Sequence, residues 1–196
     1  RGGTGPNIAY AVTTDGGGNV YTTGWFFGTA DFDPGPGIYN LTSAGASDVF
    51  VSKLDPNGNF VWAKRMGGPD SEEGQSIQVD SVGNVYTTGE FIGTADFDPG
   101  PGVYSLTSVG DYDIFISKLD SNGNFVRAMA TGGMERDYGY AIALDSAGNM
   151  YATGAFRGTA DFDPGPGAYK LTSAGGQDVF IWRLDPDGNL VELMSG

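Results

Sequence analysis

A ten-residue string, GTADFDPGPG, occupies residues 28–37 and returns at 93–102 and 158–167. The interval is 65 residues both times, and the register never slips outside the string. Asp15, Asp80 and Asp145 align, as do Tyr39, Tyr104 and Tyr169, and Phe50, Phe115 and Phe180. The 196 residues are therefore three repeats and one residue more. A fixed period of this size marks a solenoid, a propeller or an array. Three independent domains of such length would bury too little surface to stand alone. The units are 1–65, 66–130 and 131–196.

The second repeat shows the plan. An alternating run, Ser76 to Asp80, leads through a turn into Val85–Phe91. A long connection, 93–110, holds the DFDPGPG string and a short apolar stretch at 103–106. Asp113–Leu119 is rich in β-branched and aromatic residues, and a second turn leads into Phe125–Met129. These are four strands, with two tight hairpins among them. The hairpin signal is Asp-x-x-Gly-Asn, starting at Asp15, Asp55, Asp80, Asp120, Asp145 and Asp185. Its Asp bonds its own backbone and its Gly supplies positive φ. No segment holds a 3.6-residue apolar period, so no helix is expected. The fold class is all-β, with tandem four-stranded antiparallel blades of the β-propeller type. Small residues in the first strand of each repeat suit the crowded innermost position.

Composition narrows the chemistry. The chain has no cysteine and no histidine. That excludes disulfides, thiolate nucleophiles, Ser-His-Asp triads and most zinc catalysis. The net charge of −14 opposes binding to nucleic acid. No apolar run is long enough to insert in a membrane.

In the second repeat Val79-Asp80-Ser81-Val82-Gly83-Asn84-Val85-Tyr86-Thr87-Thr88-Gly89 is followed by Asp113-Ile114-Phe115-Ile116-Ser117-Lys118-Leu119-Asp120. Both segments resemble the bacterial SBBP β-propeller repeat, and the likeness extends over all three repeats. The DFDPGPG connection resembles a subgroup found in secreted or surface proteins. The resemblance implies an extracellular or cell-surface location. It implies no reaction, since propellers carry many functions.

Asp31, Asp33, Asp96, Asp98, Asp161 and Asp163 are the candidate metal ligands. Two carboxylates two residues apart share one side of a strand, and with turn carbonyls they offer hard oxygens to calcium. The competing reading is that they cap a rigid Pro-Gly-Pro-Gly reversal. No carboxylate pair stands out for hydrolysis, because Glu72, Glu73 and Glu90 occur in one repeat only, so the chain is expected not to be an enzyme. A propeller lectin would repeat an exposed aromatic in every blade. Here Trp25 aligns with Glu90 and Ala155, Trp62 with Arg127 and Glu192, and Trp182 with Ser52 and Ser117. The aromatics that do recur are expected in the core.

Three blades are fewer than the four to eight of closed propellers. Both ends of such an arc should be covered by copies of the same chain or by further blades of a longer parent. The expected role is a structural or adhesive building block that self-associates head to tail, as a six-bladed ring of two copies or as a filament. The alternative is a module that binds a glycan or another ligand through loops on one face, with a glycan or surface protein as partner.

Overall fold

The computed structural model describes residues 2–196. The chain is all-β and antiparallel, with no helix among the described residues. β1 (Asn7–Thr14), β2 (Val20–Asp31), β3 (Asn40–Leu54) and β4 (Phe60–Met66) form one sheet in that order. β5 (Glu72–Val79), β6 (Val85–Phe91), β9 (Asp113–Leu119) and β10 (Phe125–Gly133) repeat the order. β7 (Thr94–Asp96) and β8 (Ser105–Thr107) pair beside them. β11 (Tyr138–Leu144), β12 (Met150–Asp161), β13 (Lys170–Leu184) and β14 (Leu190–Ser195) complete the series. The sheets do not close on themselves.

All six Asp-x-x-Gly-Asn segments make one turn. In the first, Asp15 Oδ1 accepts the amides of Gly17 and Asn19, each at 2.9 Å, while Oδ2 accepts Asn19 Nδ2 at 2.7 Å. The glycine holds φ at 81°, which a side chain would oppose. These bonds pull the pKa of each of the six aspartates below the usual carboxylate value. For Asp15, the Asn19 side chain contributes most.

The connection expected at 93–110 is a continuation of the sheet. In the first repeat β2 and β3 run on as a paired arm, with Thr29, Ala30 and Asp31 opposite Thr42, Leu41 and Asn40. β7 and β8 are the same arm in the second repeat. Three paired residues on each side are too few to show a period in sequence. The DFDPGPG string forms the tip of each arm.

Side chains from each arm reach the core. Phe32 packs on Phe26 and Phe50, with ring centroids 5.3 and 5.0 Å apart, and Phe97 and Phe162 repeat the triad. The opening residues of each repeat bridge to that repeat's own arm, at Gly3–Ala30, Gly67–Asp96 and Gly132–Asp161. The last of these pairs β10 with β12 and so joins the second repeat's sheet to the third's. The first strands β1, β5 and β11 lie side by side in succession, as expected for innermost strands. A Cβ on Gly24, Gly89 or Gly154 would strike the carbonyl oxygen of Ile8, Glu73 or Tyr138. Only glycine allows this approach across the bulged first hairpin.

Candidate functional site

The six aspartates of the DFDPGPG strings sit at the arm tips and serve the backbone. Asp31 Oδ1 accepts the amides of Asp33 at 3.1 Å and Tyr39 at 2.9 Å. Asp33 Oδ1 accepts Gly35 N at 2.7 Å. Asp96 with Asp98, and Asp161 with Asp163, repeat these bonds. The geometry is that of stacked Asx turns closing a rigid tip. No three acidic, histidine or cysteine side chains converge as a metal site among the described residues.

The first and third tips border grooves. In the first repeat, residues 33–37 face the turn at Gly58 and Asn59, with Phe60 below. Between the second and third repeats the groove widens to about 520 Å³ and gains Tyr104, Arg127, Ala128 and Met129 from the second repeat. The arm tip of the third repeat therefore seats against β10 of the second. The first repeat's groove lacks any such second wall, and a separate apolar hollow lined by Ile8, Ala30, Phe32 and Phe50 lies open on that repeat.

The repeat-to-repeat joints hold buried acids that the sequence did not single out. At the first joint Asp48 and Glu72 are fully buried. A Cβ placed on Gly67 would lie 2.5 Å from Glu72 Oε2 and 2.8 Å from Asp48 Oδ2, so both carboxylates converge there. Asp48 Oδ2 accepts Ala44 N at 3.0 Å and Arg65 Nη1 at 2.7 Å, and Glu72 Oε2 accepts Gly68 N at 2.9 Å. Burial drives the Glu72 pKa up to about 8, and the Asp48 charge adds to the rise. At the second joint Asp113 and Asp137 converge on Gly132 in the same way. Burial raises Asp113 to about 7 and Asp137 to about 6. The available signal was alignment. Asp48, Asp113 and Asp178 occupy one repeat position, and Asn7, Glu72 and Asp137 another.

The outer joints differ from these inner ones. Val49 and Ile114, on the third strand of the first two repeats, are wholly buried, but their equivalent Val179 is 59% exposed. Val51 and Ile116 are likewise buried, and Ile181 is exposed. At the other end, Ile77 and Ile142 are 2% and 3% exposed, whereas their equivalent Val12 is 66% exposed. Val191 is exposed as well, but so are its equivalents Val61 and Val126, so it marks no joint.

No family model matches the chain. Over 145 residues, 74% of its length, it is 29% identical to the regulatory protein FlaEY of Caulobacter vibrioides, of which the match covers 15%. Over 117 residues, 52% of its length, it is 28% identical to an uncharacterized WD repeat-containing protein, L264, of Acanthamoeba polyphaga mimivirus, of which the match covers 8%. The chain thus spans a small part of the relatives it matches.

Proposed function

We propose that the three repeats are consecutive blades of a β-propeller and that the chain is a non-enzymatic building block that joins copies of itself head to tail. The supporting observation is the contrast between Val49 or Ile114, buried at the inner joints, and Val179, exposed at the end. A side chain that lies wet only where the next repeat is missing is shaped for a next repeat. The similarity to a WD repeat-containing protein favours the propeller reading. Display outside the cell rests on the resemblance to SBBP repeats.

The two ends complement each other. The hollow beside Ile8, Phe32 and Phe50 corresponds to Tyr138, Phe162 and Phe180 of the third repeat, where Phe162 and Phe180 share a core cluster with Ile114, Ile116 and Met129 of the second. Docking the last repeat of one copy there sets Asp178 against Asn7, an acid against an amide, without the acid–acid contact of the inner joints. Covering Val12, Val179, Ile181 and Met194 contributes roughly 1–2 kcal/mol each, since each is about half wet. A ring of two copies makes both end contacts for one loss of translational freedom, so it is favoured over a filament.

Light scattering of the chain at micromolar concentration should report a dimer, and Val179→Asp and Val12→Asp should each yield monomers. Both residues are exposed, so neither change threatens the fold. A wild-type monomer overturns the reading. So does a dimer that Val12→Asp leaves intact, since that contact would be tail to tail.

A further inference from the structure

In a tandem repeat the positions that build the core must recur. A set of positions that diverges yet gathers in one place is free of that demand. Two such positions face each other at the start of the first hairpin. Ile8 pairs across the strands with Trp25, Glu73 with Glu90, and Tyr138 with Ala155. Beside them stand the residues at the bulge, Tyr10, Gln75 and Tyr140. Because the first strands lie side by side, these positions form one patch on the inner face. Its middle is two carboxylates and an amide, and both flanks are aromatic.

The patch is knit across repeats. Trp25 Nε1 donates to Tyr10 OH at 3.1 Å, and Tyr10 OH donates to Glu73 Oε2 at 3.3 Å. Gln75 Nε2 donates to the same oxygen at 3.3 Å. Arg136 bonds Glu90 Oε1 at 3.0 Å and lies over the rings of Tyr112 and Tyr138, 4.0 and 4.8 Å from their centroids. Tyr138 stacks on Tyr140 at 5.6 Å, and Tyr140 remains half exposed. Glu90 is almost wholly buried, and its Oε2 has no hydrogen-bond partner.

Glu73 and Gln75 are only half-buried and offer an acceptor and a donor at the surface between the rings. Exposed rings beside fixed acceptors suit a ligand with an apolar face and hydroxyl edges. Arg136 already fills the cationic place between the tyrosines and balances Glu90, so the free part of the patch does not call for a second cation. From this we infer that the inner face binds a neutral oligosaccharide. Tyr140 and Tyr10 stack on pyranose rings, and Glu73 and Gln75 accept from and donate to the hydroxyls. The inference stands whether or not the chain self-associates.

Cellohexaose, maltohexaose and chitohexaose, each titrated to about 10 mM by calorimetry, test it. At least one should bind. Tyr140→Ala should weaken that sugar by about tenfold, the worth of one stacked ring. Tyr169→Ala, an exposed arm tyrosine away from the patch, should leave the affinity unchanged. Circular dichroism confirms that both variants fold. Binding by none of the three sugars overturns the inference. Equal affinity of Tyr140→Ala and wild type does so too, as does equal weakening by Tyr169→Ala or binding of tetramethylammonium in place of the sugars.

Discussion

The two inner joints share one backbone and neutralise their buried acids differently. At the first, Arg65 Nη1 lies 2.7 Å from Asp48 Oδ2. At the second, Ala130 stands where Arg65 would, opposite Phe115 as Arg65 is opposite Phe50, and among the described residues no cation reaches Asp113. Two acids that converge in a dry joint cannot both stay ionised at low cost. The first joint meets this with a guanidinium on Asp48 and a proton on Glu72. The second has only protons, on groups raised to about 7 and about 6. One repeat geometry thus yields a joint clamped by a fixed charge and a joint clamped by pH.

The largest expected effect comes from removing the fixed charge. Arg65→Ala leaves Asp48 buried with only the amide of Ala44 on Oδ2 and nothing on Oδ1. Breaking a buried pair from one side costs about 3–5 kcal/mol. Arg65 is a third exposed, so the lower end applies. Thermal unfolding at pH 7 should show a fall of roughly 6–12 °C for a chain of this size. A fall below 2 °C or so would mean that the guanidinium does not hold the joint.

Much of this molecule could be read from the residues. The period, the six Asp-anchored turns and the core rows at Phe26, Phe50 and Tyr21 follow from strong local rules: φ at one glycine, a carboxylate over its own amides, alternation along a strand. The joints could not be read that way. Asp48 and Glu72 are 24 residues apart and meet only because the second repeat docks on the first. Phe32 was hidden in a string that reads as a turn, though its ring completes the core triad. The inner-face patch leaves no periodic signal, because it is built from positions that do not recur.

The next effect is on pH dependence, and its sign follows from the direction of the shifts. Glu72, Asp113 and Asp137 all hold their protons more tightly in the folded chain than in the unfolded one. Their contribution to stability is complete below the ordinary carboxylate pKa and is lost as pH rises through about 6, 7 and 8. The turn aspartates act in the opposite sense, below their ordinary pKa, and do not cloud this window. The melting temperature should therefore fall between pH 5.5 and 8.5. Asp113→Asn should raise it by about 3–6 °C at pH 8 and leave it nearly unchanged at pH 5. Equal shifts at the two pH values would show that the second joint is not closed by a proton.

The smallest effect is the most specific, because it converts one joint into the other. Ala130→Arg places a guanidinium at the repeat position of Arg65, on the strand whose partner carries Asp113 one residue from Ile114. The side chain has room, since Ala130 is only half-buried and lines one open hollow together with Asp113. A cation there favours the ionised form of Asp113 and lowers its pKa toward the ordinary range. Asp137 keeps its own bonds to the amides of Gly133 and Arg157, so its proton should be affected less. The gain should be about 1 kcal/mol at pH 8, where Asp113 is otherwise an unpaired buried anion, and near zero at pH 5, where it is neutral. The slope of stability against pH should flatten between 6 and 8 and persist near 8, where Glu72 of the unaltered joint titrates. A uniform loss at both pH values would mean that the arginine does not reach Asp113, and that the two joints differ in shape as well as in charge.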